Sequence, residues 1–181
     1  MRALGIDPGS RVTGWGVVER ARTTLREVAS GAIRLDAGKT MADRLARLHG
    51  ECLALLDVWR PDVVVLERNF VAHNVQSAFR LGEVRGVVLA AAAASGRHVH
   101  EYAPATVKLA AVGHGRADKE TMTRGVIALL HLAARPSPDA ADALAVALCH
   151  LQQAPLLAAL ARAEARLPRA GRAAGAERRA R

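Results

Sequence analysis

RALGIDPGSRVTGWGVVERARTTLREVASGAIR, residues 2–34, is the stretch on which the reading of the fold turns. Residues 2–8 form a short apolar run stopped by a Pro-Gly turn, the pattern of a buried strand. Residues 12–20 and 23–34 carry alternating, β-branched stretches joined by a tight Ala-Arg connection. Together they predict three antiparallel strands at the start of the chain. From residue 40 the period changes. Met41, Leu45, Leu48, Cys52, Leu55, Leu56 and Trp59 share one helical face, and Pro61 closes that helix. Asp62 to Leu66 (DVVVL) is then a continuous apolar run, as expected of a central strand covered on both faces.

Helical spacing returns from about Asn74 to Ser95 and is closed by Gly96. Residues 98–102 read as a short strand, and Pro104 opens a helix to about Val112. After the glycine-rich loop VGHGRA, Asp118 is placed to cap a helix reaching about Leu132. Arg135-Pro-Ser-Pro breaks the chain, and a last helix is expected from Pro138 to about Gln153. The order predicts an α/β fold: a mixed five-stranded sheet, three antiparallel strands followed by parallel ones, with helices on both faces. Residues 1–155 make one domain, and residues 156–181 an Arg/Ala-rich basic tail, disordered toward its end beyond Leu167.

The 181 residues are 51% hydrophobic but only 3% aromatic, so Ala, Val and Leu must build the core. The formal charge of +9 points to a polyanionic partner. That charge is uneven: seven arginines and two glutamates from Pro155 onward hold +5 of it, leaving +4 for the rest. Cys52 and Cys149 lie in helical patterns without metal-ligand spacing, so buried reduced thiols are expected. The opening residues lack a secretory signal, and the most apolar run, Val87 to Ala94, is shorter than the ~20 residues that span a bilayer. A cytoplasmic protein is the expectation.

Four acids stand out. Asp7 ends the first strand directly before Pro-Gly, and Glu67 ends DVVVL in the same way. If the two strands are neighbours, both carboxylates emerge at one rim, where open α/β sheets bind ligands. Asp139 and Asp142 stand three apart in the first turn of the last helix, on one face, with Ser137 and Pro138 fitting the positions just before and at its start. Such acids have a joint use, since hard divalent cations take oxygen ligands and two ions can promote in-line displacement at phosphorus. Each also has a plainer explanation: Asp139 and Asp142 favour the positive end of the helix dipole, and Asp7 suits a turn. Glu67 is the hardest to explain away, because an acid abutting an apolar strand needs a partner or an ion. His73, His114 and His131 are scattered, and each is expected to be an ordinary surface or core residue.

GIDPGSRVTGWGVVE, VVVLERNF, LGEVRGVVLAA, EYAPATVK and DAADALAVALCH resemble, in this order, the RuvC family of Holliday-junction resolvases. The resemblance runs from Met1 to about Gln153. It implies an RNase-H-like fold, a homodimer, and paired symmetrical nicks across a four-way DNA junction. It also implies two Mg²⁺ or Mn²⁺ ions per active site, held by Asp7, Glu67, Asp139 and Asp142. Some family members carry histidine where this chain has Asp139. By the same resemblance Phe70 stacks on a base near the cut, and Lys108, Lys119 and, more weakly, Arg116 contact phosphate. The family works alongside the RuvA–RuvB branch-migration machine.

Ala78, Gly82, Gly86 and Ala90 recur every four residues, leaving one stripe of their helix nearly bare. Glycine costs about 1 kcal/mol relative to alanine in a helix interior, so close packing should offset it. The stripe packs either on its own sheet or, as the family's dimer suggests, against its twin across a two-fold axis. Three other functions remain open at this point. These are an RNase-H-like nuclease of YqgF type acting on RNA, an actin-like phosphotransferase, for which the chain is short, and a non-catalytic DNA-binding module.

Overall fold

The computed structural model describes residues 1–68 and 75–166. Ten elements follow in order: β1 (Arg2–Asp7), β2 (Val12–Ala21), β3 (Thr24–Arg34), α1 (Met41–Trp59), β4 (Val63–Glu67), α2 (Val75–Ala94), β5 (His98–Tyr102), α3 (Pro104–Val112), α4 (Lys119–Leu130) and α5 (Pro138–Arg166). The five strands form one sheet in the order β3-β2-β1-β4-β5. β1 pairs antiparallel with β2 and parallel with β4, and β4 pairs parallel with β5. The expected mixed sheet is therefore present, and β1 and β4 are the neighbours that the site requires.

The helices divide between the faces. Leu48, Cys52 and Leu56 of α1 and Val84, Val88 and Ala91 of α2 pack on Leu4, Ile6, Val64 and Leu66. On the other face, α3, α4 and α5 cover Ala3, Val18, Val63 and Val65. The local signals act where the sequence places them. Thr40 caps α1, accepting from the Asp43 N–H at 3.1 Å, and Asp118 caps α4, accepting from the Thr121 N–H at 2.7 Å. Ser137 Oγ accepts from the Ala140 N–H at 3.3 Å at the start of α5.

The last helix differs from its expected length. α5 continues through Pro155 to Arg166, so residues 156–166 are helical rather than tail. Proline at 155 removes the N–H that would bond the Leu151 carbonyl and crowds that oxygen. Arg20 of β2 supplies the missing donor, its Nη1 lying 2.7 Å from Leu151 O. The break expected near Gln153 is thus repaired by a strand 131 residues away. Residues 167–181 lie outside the described residues. Among the described residues, Pro138–Leu160 alone is long and apolar enough to cross a bilayer, and half of its apolar window is buried inside the domain. Its apolarity is that of a core helix. Cys52 and Cys149 are buried free thiols, as expected, and burial pushes them up to about 12 and about 11 respectively.

Candidate active site

Strand parity decides where the acids point. Side chains alternate between faces along a strand. Ala3, Val63 and Val65 face α5 while Leu4, Ile6, Val64 and Leu66 face α1 and α2, so Asp7 and Glu67 fall on the α5 side. Ile6 is in register with Leu66, which makes Asp7 and Glu67 the next step on adjacent parallel strands, roughly 5 Å apart.

The helix-borne acids reach them because α5 lies unusually deep. Gly5 pairs with Gly16, and Asp7 pairs with Gly14. A β-carbon built on Gly14 would sit 2.0 Å from the Asp139 carbonyl oxygen, and one on Gly5 2.0 Å from that of Ala143. On Gly16 it would meet the Leu144 side chain at 2.8 Å. These glycines form a floor without side chains under the first turns of α5. Their role escaped the sequence reading, since strand glycines carry no mark of how closely a helix will approach.

Asp7, Glu67 and Asp142 line one cavity of about 250 Å³, together with Lys108 of α3 and Lys119 of α4. Val107, Met122 and Val146 form its apolar wall. Three recesses elsewhere are larger, about 540 Å³ beside Arg60 and Arg97, about 640 Å³ along α2 and about 380 Å³ beside Lys39 and Arg44. The first two hold one carboxylate each and the third holds two beside three cations, whereas the smaller cavity gathers three carboxylates from β1, β4 and α5. Asp139 does not line it, although its charge is felt there. Burial, then the carboxylates of Asp142, Glu67 and Asp139, push Asp7 up to about 7, while the Lys119 ammonium pulls the other way. Lys119 donates to Asp142 Oδ2 at 3.2 Å, and that carboxylate holds the lysine above its ordinary value. The Asp118 cap, in fixing the start of α4, also fixes the residue that carries this ammonium.

The donor set is one that hard divalent cations prefer, oxygen only and excess in negative charge. Among the described residues no three acid, histidine or cysteine side chains are drawn to common ligand distance. That is compatible with an ion of the Mg²⁺ type, which keeps several waters and takes one or two carboxylates. The raised Asp7 marks the uncompensated charge that such an ion would neutralise.

The remaining candidates separate. Arg116 is exposed on the loop between α3 and α4, outside the cavity. Phe70 and His73 lie outside the described residues. His131 caps the end of α4 in a left-handed conformation, a structural use, and His114 is exposed on the α3–α4 loop. Ala78, Gly82, Gly86 and Ala90 are all exposed, and a β-carbon on either glycine would meet nothing within 4 Å. Packing of the bare stripe on its own sheet is thereby excluded. Phe79, 71% exposed, and Val75 extend the same outward face. Two residues that the sequence reading passed over sit behind the site. Tyr102, in register with Glu67, meets His150 Nδ1 of α5 at 2.9 Å, and burial, then the nearby His100, lowers His150 to about 4.

Comparison with known proteins gives this arrangement its context. Residues 3–150 match the family described as crossover junction endodeoxyribonuclease RuvC. The chain is 49% identical over 164 residues to the protein of that name from Alkalilimnicola ehrlichii, covering 91% of this chain and 99% of the relative. The corresponding Sorangium cellulosum protein is 46% identical over 172 residues, covering 95% and 96%. Among solved structures, Thermus thermophilus RuvC in complex with a Holliday junction substrate superposes with a TM-score of 0.81 at 35% identity, covering 86% of this chain and 96% of that one. A separate structure of the same Thermus protein gives 0.78 at 34% identity, with the same coverage. The sheet order, the gathered acids and these matches agree: the chain belongs to the RuvC family of crossover junction endodeoxyribonucleases.

Proposed function

We propose that this protein resolves four-way DNA junctions by paired hydrolytic nicks, with Asp7, Glu67, Asp142 and Asp139 forming a site for two Mg²⁺ or Mn²⁺ ions. The observation that carries the proposal is the gathering of acids from β1, β4 and α5 around the half-buried Asp7 carboxylate beside two lysines. When bound, such ions activate water and offset charge developing on the leaving oxygen. The chain's residues supply the frame. Asp7 and Glu67 present oxygens from the rim of the sheet, and Asp142 does so from the helix above them. Asp139, in the first turn of the same helix, adds negative charge that is felt at Asp7. The Lys119 side chain is 82% exposed, so its ammonium is free to turn from Asp142 toward a substrate phosphate. Lys108 reaches the same cavity from α3, and phosphate contacts of this kind position DNA without reading its sequence.

Two nicks placed symmetrically need two such sites. The exposed, nearly bare face of α2 fits a second copy of this chain packed across a two-fold axis. Sedimentation as a monomer at micromolar concentration would contradict that assembly.

The deciding experiment incubates the protein with a four-way junction, a linear duplex and a structured RNA, each with and without Mn²⁺. Junction cleavage that needs the metal and is lost in Asp142→Asn, with binding retained, is the expected result. Cleavage of RNA alone would reassign the chain to an RNA nuclease, and binding without cleavage would reduce it to a DNA-binding module.

A further inference from the structure

We infer that Arg85 and Glu101 form a clamp that sets the direction of the Glu67 side chain, making Arg85 a positioning residue for the cleavage reaction. The inference rests on the assignment of Glu67 to the metal site. Arg85 extends from α2 to the end of β4 and donates from Nη1 to the main-chain oxygen of Glu67 at 2.9 Å. Its Nη2 bonds Glu101 Oε1 on β5, and Arg68 approaches the other carboxylate oxygen at 3.7 Å. Glu101 is in register with Leu66, so it lies on the α2 side of the sheet while the Glu67 carboxylate lies on the α5 side. The clamp therefore grips the main chain from behind the acid.

What it grips is a single peptide unit. The Glu67 carbonyl is held by Arg85, and the N–H of the same peptide, that of Arg68, donates to Tyr102 O at 2.7 Å. With both ends of the plane fixed, rotation about the bond between the Glu67 α-carbon and its carbonyl carbon is blocked, and the β-carbon is aimed into the cavity. This matters because β4 ends here, and strand ends otherwise open locally at little cost. Arginine suits the task. Its planar fork donates in two fixed directions at once, to the carbonyl and to the carboxylate, which a lysine ammonium cannot reproduce. Arg85 and Glu101 are both largely shielded, with 21% and 28% side-chain exposure, so water competes weakly for these bonds. A plain α2–β5 tether would need only the ion pair; the bond to the carbonyl of the acid-bearing residue is the additional feature.

The test compares Arg85→Gln, Arg85→Lys, Glu101→Gln and Glu67→Gln with wild type in the full chain. Single-turnover junction cleavage, junction affinity, thermal midpoint and hydrogen exchange of the Arg68 amide are measured for each. R85Q is expected to slow cleavage roughly ten- to hundredfold, the scale of a small misplacement of a catalytic group. Junction affinity should stay within about twofold and Arg68 exchange should rise about tenfold. E101Q should follow in the same direction to a smaller extent, and R85K should fall between R85Q and wild type. Should R85Q fail to fold, E101Q and R85K carry the comparison. Wild-type cleavage in R85Q and E101Q overturns the clamp, as does loss of cleavage matched by loss of junction affinity with Arg68 exchange unchanged. E67Q reads the parent assignment separately: normal cleavage there removes Glu67 from the site, whereas lost cleavage with normal Arg68 exchange supports it.

Discussion

Asp7→Asn should make the metal-free protein more stable while abolishing its cleavage. Asp7 is carried from its ordinary 3.8 to about 7 by burial and by three neighbouring carboxylates. A raised carboxyl means that the folded state binds protons more tightly than the unfolded chain does. The associated penalty is absent below pH 3.8, builds between 3.8 and about 7, and is complete above that. The interval is about three pH units at ~1.4 kcal/mol each, a ceiling of about 4 kcal/mol. Relaxation and an effective dielectric well above that of a dry interior reduce it to about 2 kcal/mol. For a domain of this size that corresponds to roughly 4–8 °C in midpoint. Thermal unfolding in EDTA at pH 8 and pH 5 reads the effect: the variant gains at pH 8 and gains much less at pH 5. Millimolar Mg²⁺ or Mn²⁺ should then raise the wild type more than the variant, closing the gap. Junction binding should survive the substitution. A variant no more stable than wild type at pH 8, or one whose gain is the same at both pH values, would refute the electrostatic reasoning.

Gly14→Ala forces a β-carbon to within 2.0 Å of the Asp139 carbonyl, whereas Gly50→Ala on α1 meets nothing within 4 Å. The first should cost about 1–3 kcal/mol in denaturant unfolding and depress cleavage strongly, and the second should be neutral or mildly stabilising. Arg20→Ala strips the donor from Leu151 O and should destabilise by about 1–3 kcal/mol. Adding Pro155→Ala, which restores a helical N–H, should recover much of that loss, and additive effects in the double-mutant cycle would disprove the repair. Junction affinity should fall linearly with salt on a log–log plot, and a flat response would argue against the lysine contacts.

Much of this architecture is local and therefore readable. The Thr40 and Asp118 caps, the Pro-Gly stop after Asp7 and the unbroken VVVL run each act through near neighbours in sequence. What escaped reading depends on distant partners. Pro155 looks like a helix end because the sequence alone cannot show Arg20 waiting at its unpaired carbonyl. Asp7, Glu67 and Asp142 were identifiable by type and place, but their meeting depends on how deeply α5 sinks, which Gly5 and Gly14 control without any periodic signal. Asp139, expected with the other three, bears on Asp7 through its charge although it is not among the side chains that line the cavity. The spacing of the α2 stripe was visible, but which way it faced was not, since a single helix does not reveal which of its sides meets the sheet.

Where α5 crosses Gly5 of β1 and Gly14 of β2, main chain meets main chain. Such a junction has no rotamers to adjust, so the distance between the sheet-borne and helix-borne acids is insulated from drift in the surrounding core. Substitutions at valine, leucine and alanine positions of the core can repack around their own new shapes while the backbone contact keeps the gauge of the reaction centre.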